Sequence, residues 1–200
     1  MAYSDFTLQL VEANLGVVAH PADLFAEARP VPVPDWLRDQ LARGLRQPLV
    51  SEKARSELIV MPVLLACQGS GAEAIAIFSG SRLDVSPDMG LSGECDFLLA
   101  RAPQVPEVRA PLVAVVEAKK NDIEAGLGQC VALMIGARLF NERAGQPAST
   151  LFGCVTTGEV WQFLRLEGSV AMLDRRRYYL MDVASILGVF RAILDEPAPG

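Results

Sequence analysis

The chain has 200 residues, of which 51% are hydrophobic, and it carries a formal net charge of −6. This size fits one domain, and the apolar content supplies a core, so a mostly disordered chain is not expected. An acidic balance argues against the broad basic surface of many nucleic-acid-binding proteins, although it allows a local basic groove. The densest basic cluster, Arg175-Arg176-Arg177, fits such a groove or, as the simpler interpretation, a solvated turn.

Membrane insertion and secretion are not signalled. No apolar run reaches the roughly 18 residues that a membrane-spanning helix needs, and residues 1–5 do not begin a secretory signal. The four cysteines lie far apart without a C-x-x-C pair, so a cysteine-based zinc site is not expected. Their apolar surroundings predict buried, reduced thiols in a cytoplasmic protein.

The first 50 residues are predicted to form a helical extension that packs on the rest of the chain. Residues 5–14 fit a short helix with Phe6 on its apolar face. The prolines within 29–34 impose an extended connector, because proline fixes φ and restricts the residue before it. Asp35 is expected to cap a helix over residues 36–46.

A main domain is predicted over residues 51–195, followed by a flexible tail at 196–200. It begins with a helix from Ser51 to about Cys67, which Pro62 kinks or shortens and Gly69-Ser70-Gly71 ends. The periodicity of the remainder predicts a strand near 74–78 that residues 80–85 continue after a bulge. It also predicts strands near 94–100, 112–118, 150–156, 159–166 and 169–174, and helices at 123–143 and 182–194.

These elements follow the order helix, three strands, helix and strand, with additional strands and a helix at the C-terminal end. Such an order predicts an α/β fold in which helices flank a mixed β-sheet. The strand near 112–118 is apolar along most of its length, which is typical of a strand covered on both faces.

The most informative stretch is this apolar strand, because it ends in Glu117-Ala118-Lys119. Side chains on a strand alternate, so Glu117 and Lys119 project to one side, and Asp96 lies at the start of a second apolar strand. Buried charges are costly unless they are paired or bound to a metal. We therefore expect a Mg²⁺ or Mn²⁺ site for phosphodiester chemistry, with Asp96 and Glu117 as ligands. The backbone carbonyl of Ala118 and the carboxylate of Glu57 would add ligands, and Lys119 would orient the attacking water or neutralise developing charge.

Asp96, twenty further residues and then Glu117-Ala118-Lys119 resemble the signature of the PD-(D/E)XK nuclease superfamily, whose members have the restriction-endonuclease-like fold. More specifically, the chain is similar to a bacterial group within that superfamily that is common in cyanobacteria. The similarity covers roughly residues 23–189, and it is carried by Ser51–Ile59, Glu117–Lys119, Gly126–Cys130 and Val155–Gly158.

This resemblance implies a core of the order αβββαβ and a metal-dependent nuclease. It also implies that an acid on the first core helix, here Glu57, and a glutamine on the helix after the Glu-x-Lys strand, here Gln129, belong to the site. Two positions depart from the pattern. Cys95 stands where proline is usual, and Leu133 stands where some exonuclease-like members have tyrosine, which weakens an exonuclease assignment.

Each site residue has a simpler interpretation. Glu117 and Lys119 would also fit a strand-end ion pair without a catalytic task, and Asp84 or Asp88 could replace Asp96 as a ligand. Glu57 and Gln129 would also fit ordinary helix positions. Lys120 and Asn121 fit a simple turn as well as a contact with backbone phosphates.

Three functions follow from these residues. The first is a magnesium-dependent nuclease acting on DNA, for which a homodimer would supply two sites to cut both strands. The second is a catalytically silent scaffold that binds another protein, which the acidic charge favours. The third is a metal-dependent enzyme acting on a small phosphorylated substrate.

Overall fold

The computed structural model describes residues 1–68 and 75–196, and seven strands within them form one mixed sheet. Along the sheet the order is β1-β7-β6-β5-β4-β3-β2. The pairs β4–β5 and β1–β7 are parallel, and the other pairs are antiparallel. The strands are β1 (Val18–Ala22), β2 (Ile75–Arg82), β3 (Glu94–Arg101), β4 (Leu112–Ala118), β5 (Thr150–Thr156), β6 (Val160–Glu167) and β7 (Val170–Tyr179).

Helices cover both faces of the sheet and divide the core into two layers. One layer packs the sheet against α1, α5 and the N-terminal residues, and the other packs it against α2, α4 and α6. The helices are α1 (Leu8–Leu15), α2 (Asp35–Gly44), α3 (Glu52–Arg55), α4 (Met61–Cys67), α5 (Glu124–Arg143) and α6 (Val183–Asp195). A π-helical turn, Ser56–Val60, joins α3 to α4, and short 3₁₀ turns lie at Tyr3–Asp5, Pro87–Met89 and Leu180–Asp182.

The predicted α/β class, a mixed sheet flanked by helices, is confirmed. The order α4–β2–β3–β4–α5–β5 is present and is followed by β6, β7 and α6. Strand β4 is central and mostly buried, with Val115 in one core layer and Val116 in the other. Its nearly continuous apolar sequence is explained by this double burial.

Helix α5 is buried around most of its circumference because the N-terminal residues pack on its outer side. Two glycines make this close approach possible. A Cβ at Gly128 would overlap the backbone of Thr7, and one at Gly136 would overlap the hydroxyl of Tyr3. The N-terminal segment can therefore pack this closely on α5 only because both positions are glycine.

Strand β1 was not predicted, and it corrects the description of residues 1–50 as purely helical. It contains a proline, it is short, and it lies at the edge of the sheet beside β7, where a missing N–H is tolerated. The first helix also begins later than expected. Thr7 caps α1 through a hydrogen bond from the backbone N–H of Leu10 (3.2 Å), so Phe6 precedes the helix.

Two predicted helix starts differ in outcome. Ser51 caps α3 as expected, because its hydroxyl accepts from the N–H of Ala54 at 3.1 Å. Asp35 is the first residue of α2 rather than its cap. Pro34 takes the cap position in an extended conformation, and its carbonyl accepts from the N–H groups of Leu37 and Arg38.

Pro62 does not end the helix that begins after Ser51. Proline has no N–H for the carbonyl four residues earlier, and its ring crowds that carbonyl. The π-helical turn at Ser56–Val60 widens the helix just before Pro62, and α4 then continues to Cys67. The predicted stop at residues 69–71 lies outside the described residues, as do the last four residues of the predicted tail.

The basic triplet Arg175-Arg176-Arg177 lies within β7, which continues to Tyr179, so it is not a turn, although all three residues are exposed as that interpretation expected. The predicted burial of all four cysteines is confirmed, and each is a free thiol. Within the part of the chain that the structure describes, no helix has the length and apolarity needed to cross a membrane.

Candidate metal centre

The candidate centre lies where β3 and β4 separate. Their last paired residues are Phe97 and Val116. Beyond this pair, the N–H of Ala118 donates to Oδ2 of Asp96 at 2.8 Å. The side chain of Asp96 therefore replaces a strand partner, and its carboxyl interacts directly with that of Glu117 on the neighbouring strand.

Glu117 is almost completely buried, with 2% of its surface exposed. Its Oε1 accepts a hydrogen bond from Nζ of Lys119 at 2.8 Å. Its Oε2 is buried and has no hydrogen-bond donor among the described residues. A buried acceptor without a donor costs about 1–3 kcal/mol, so this oxygen has an unused capacity to bind a cation or proton.

Lys119 lies between β4 and α5. Its Nζ also donates to Oε1 of Gln129 at 3.0 Å, which confirms that Glu117 and Lys119 project to the same side as α5. Gly126 makes room for this side chain, because a Cβ there would approach Cγ of Lys119 at 3.1 Å and Cγ1 of Val155 at 2.6 Å. The sequence Gly126–Gln129 thus supplies both the space for the lysine and a fixed acceptor.

Burial and mutual repulsion raise the pKa values of both acids of this cluster. Burial raises the pKa of Glu117 to about 8, and the negative charge of Asp96 adds to the effect. Burial also raises the pKa of Asp96, although the hydrogen bond from Ala118 acts against it. For Lys119, burial lowers the pKa, but the charge and hydrogen bond of Glu117 outweigh it, so the pKa is raised and the ammonium stays charged. The cluster therefore has one cation for two carboxyl groups.

The structure does not bring Glu57 to this cluster. Its side chain is 62% exposed and lies 3.8 Å from Nζ of Lys53, one turn away on the same helix. The acid that lies near the centre is Glu52, whose Oε1 accepts from the N–H of Lys120 at 3.2 Å. Its charge also raises the pKa of Asp96 and of Lys119.

Glu52 was not predicted, because the resemblance implies an acid within the first core helix and Glu57 fits that position. The signal was its place directly after the helix cap Ser51.

The alternative acids do not replace Asp96. Asp84 accepts hydrogen bonds from Arg82 and from the backbone N–H of Gly93 (3.0 Å), and it lies on the surface. Asp88 lies in an exposed 3₁₀ turn. Asp96 is thus the acid that the strand geometry places beside Glu117.

The donor set fits a hard divalent cation. Asp96 and Glu117 offer carboxylate oxygens, one of which lacks a donor, and their repulsion would be relieved by added positive charge. Among the described residues, no three His, Cys, Asp or Glu side chains converge as a metal site. A bound ion would therefore need ligands beyond these two carboxylates, for which the Ala118 carbonyl and water are the expected donors.

A pocket lies next to the centre, and we call it the cationic pocket. It has a volume of about 210 Å³ and begins at Lys120, the residue after Lys119. Its charged lining residues are Arg55, Lys120, Glu124, Glu159 and Arg177.

Two comparisons with known proteins were made. A scan against protein-family models gives no match, and neither does a search of the curated proteins. The contacts, burial and charge of the residues around Asp96 and Glu117 are therefore what any functional assignment depends on.

Proposed function

We propose that the protein is a divalent-metal-dependent phosphodiesterase that cleaves DNA and has a restriction-endonuclease-like fold. The observation that supports this most directly is the interaction between the buried carboxyl group of Glu117 and the partly buried carboxyl group of Asp96 on the neighbouring strand, with a single ammonium group between strand and helix. A structural ion pair would match one acid with one base. The additional acid, Asp96, and the Oε2 atom of Glu117, which has no donor among the described residues, together favour a cation site.

The chain order supports the same proposal. The elements α4–β2–β3–β4–α5–β5 follow the αβββαβ order that the resemblance implies. Asp96 lies on the second of these strands, the Glu-x-Lys segment ends the third, and Gln129 lies one turn into the next helix.

In this proposal Asp96 and Glu117 hold Mg²⁺ or Mn²⁺, together with the backbone carbonyl of Ala118. When bound, such an ion polarises a phosphoryl oxygen and lowers the pKa of a water molecule. Lys119 supplies a charged ammonium that stabilises negative charge on the substrate and orients the attacking water. Gln129 is a positioning residue, since its side-chain oxygen holds Nζ of Lys119 at 3.0 Å. Cleavage of both strands in one encounter would require a second copy of the chain.

Plasmid cleavage tests the proposal. Purified protein is incubated with supercoiled DNA in Mg²⁺, Mn²⁺ or EDTA, and nicking is followed on gels. We expect metal-dependent nicking by the wild type and loss of at least about a hundredfold in rate in Lys119→Ala, in line with removal of one transition-state donor. Lys53→Ala is the matched control, because Lys53 is an exposed lysine outside the centre. Cleavage that survives Lys119→Ala would contradict the assigned role.

A second candidate is a protein-binding scaffold without catalysis, and the net charge of −6 favours it because phosphate binding is opposed by an acidic exterior. Calorimetry with Mn²⁺ separates the two. The nuclease proposal requires binding by the wild type and its loss in Asp96→Ala. Absence of binding in both proteins would support the scaffold.

A further inference from the structure

The cationic pocket brings together three basic side chains from three separate elements. Arg55 ends α3, Lys120 follows β4, and Arg177 lies in β7. Clustering like charges is unfavourable without a counter-charge, and in an acidic chain it is not explained by composition. Two carboxylates, Glu124 and Glu159, compensate in part and leave an excess of one positive charge.

The two arginines are positioned by contacts that leave them able to exchange partners. Nη1 of Arg55 donates to the carbonyl of Thr157 at 2.9 Å and lies 3.3 Å from Oε1 of Glu159. Nη2 of Arg177 donates to Oε1 of Glu124. The side chains of Glu159 and Glu124 are 64% and 63% exposed. Ion pairs with such exposed carboxylates are weak, so an incoming anion can displace either carboxylate at little cost.

Unlike the other two cations, Lys120 has no carboxylate within ion-pair distance among the described residues. The side chain of Arg55, by contrast, is only 14% exposed, and its Nε has no hydrogen-bond partner in the described part of the chain. As far as residues 1–68 and 75–196 show, the pocket thus contains the ammonium of Lys120 without an ion-pair partner and the held guanidinium of Arg55 with an unused donor. Guanidinium and ammonium groups together are the common ligands of phosphate.

The pocket lies next to the candidate metal centre along the chain at two strand ends. Lys119 belongs to the centre and Lys120 lines the pocket, and their Cα atoms are about 3.8 Å apart as in any consecutive pair. On the next strand, the carbonyl of Thr156 accepts from the N–H of Lys119 at 2.7 Å, and Thr157 lines the pocket. At both strand ends, therefore, a residue that lines the pocket directly follows a residue of the centre or its backbone partner.

The volume of the pocket limits what it can hold. About 210 Å³ is below the range of roughly 300–1,000 Å³ that encloses a whole small-molecule ligand. The space fits part of a longer anionic chain, such as one phosphate with its sugar, rather than a complete nucleotide. An extended ligand would continue from the pocket toward the metal centre.

We propose that the cationic pocket binds a backbone phosphodiester of a nucleic-acid strand, next to the phosphate that reacts at the metal centre. The placement of the reacting phosphate rests on the proposed nuclease function, whereas the binding of phosphate does not. Arg177 and Arg55 exchange their carboxylate partners for phosphate oxygens, and Lys120 adds its charge. A strand bound through its backbone is recognised without regard to its base sequence.

Fluorescence anisotropy tests the proposal with labelled 20-mer DNA and RNA, in EDTA and in Mg²⁺. We expect Arg177→Ala to weaken binding of both strands by about tenfold and to reduce the slope of log affinity against log salt by about 0.7. Glu124→Gln, which removes the competing carboxylate, should tighten binding by about two- to threefold. Arg175→Ala is the matched control, because Arg175 lies two residues away on the same strand, pairs with Asp23 at 2.9 Å and does not line the pocket.

The proposal is overturned if Arg177→Ala and Arg175→Ala weaken binding equally, if Glu124→Gln has no effect, or if the wild type binds neither strand. A loss confined to one of the two strands would also overturn it, since both carry the same phosphodiester. Plasmid cleavage separates this result from the nuclease proposal. Binding that depends on Arg177 without any cleavage supports the pocket alone, whereas cleavage with unchanged binding in Arg177→Ala supports the metal centre alone.

Discussion

The replacement Glu117→Gln measures how much the ionised carboxyl group of Glu117 lowers the free energy of unfolding. The buried carboxyl has its pKa raised from 4.5 to about 8, chiefly by burial and then by Asp96. Between these two values the folded protein holds a proton that the unfolded chain has released. The free energy of unfolding of the metal-free protein therefore falls as pH rises through this window and levels off above it.

The magnitude follows from the same shift. At about 1.4 kcal/mol per pKa unit, ionising Glu117 opposes folding by on the order of 5 kcal/mol. Roughly 3 kcal/mol of this is lost between about pH 5.5 and pH 8.5. Glutamine keeps the shape and the oxygen that accepts from Lys119, but it has no charge to ionise. Glu117→Gln should thus become more stable than the wild type by a margin that grows by about 3 kcal/mol across this range.

Urea unfolding in EDTA at several pH values measures this margin, and each variant is compared with the wild type at the same pH. Glu57→Gln is the matched control, because it makes the same change at an exposed position and should give a curve parallel to that of the wild type. Addition of Mn²⁺ should stabilise the wild type but not Glu117→Gln. Parallel pH profiles for Glu117→Gln and the wild type would refute the claim that this carboxyl is desolvated.

Three further changes test individual contacts. Gly126→Ala should lower the free energy of unfolding by about 1–3 kcal/mol and reduce cleavage, because the added methyl would crowd Lys119. Thermal melts and plasmid nicking measure both effects, and unchanged values would contradict the close contact between Gly126 and Lys119. Asn141→Ala should destabilise by about 3 kcal/mol without changing Mn²⁺ affinity, since the buried amide makes two hydrogen bonds of 2.8 Å with the backbone of Leu112, and denaturant unfolding with calorimetry measures both. Gln129→Leu removes the acceptor that holds Nζ of Lys119, so it should lower kcat while the affinity for Mn²⁺ stays within about twofold. An equal loss of kcat and of Mn²⁺ affinity would indicate collapse of the site, and the lysine would then not be specifically mispositioned.

The parts of the candidate site that sequence could predict are those that depend on local periodicity. Strand alternation places Glu117 and Lys119 on one side, and the next helix must cover that side, so the contact of Lys119 with Gln129 follows. Asp96 was predictable because it lies near the start of a second apolar strand, β3. Each of these inferences needs only the neighbouring residues and the identity of the adjacent element.

The parts that could not be predicted depend on distant residues. Strand β1 has five residues, including a proline, and it becomes a strand only because β7 lies beside it. The choice of Glu52 over Glu57 depends on where the helix start lies relative to the loop after β4, and Glu57 lies within the π-helical turn, which changes the side that it faces. Neither feature leaves a periodic signal in the local sequence.

The parallel pairing of Val18 with Val170 has a consequence for synthesis on the ribosome. The N-terminal strand emerges first, yet its partner is made about 150 residues later, which takes roughly 8 to 30 s at typical elongation rates. During that interval the backbone donors and acceptors of β1 have no sheet to join. Completion of the sheet, and with it the placement of Arg177 in the cationic pocket, therefore waits for the synthesis of β7.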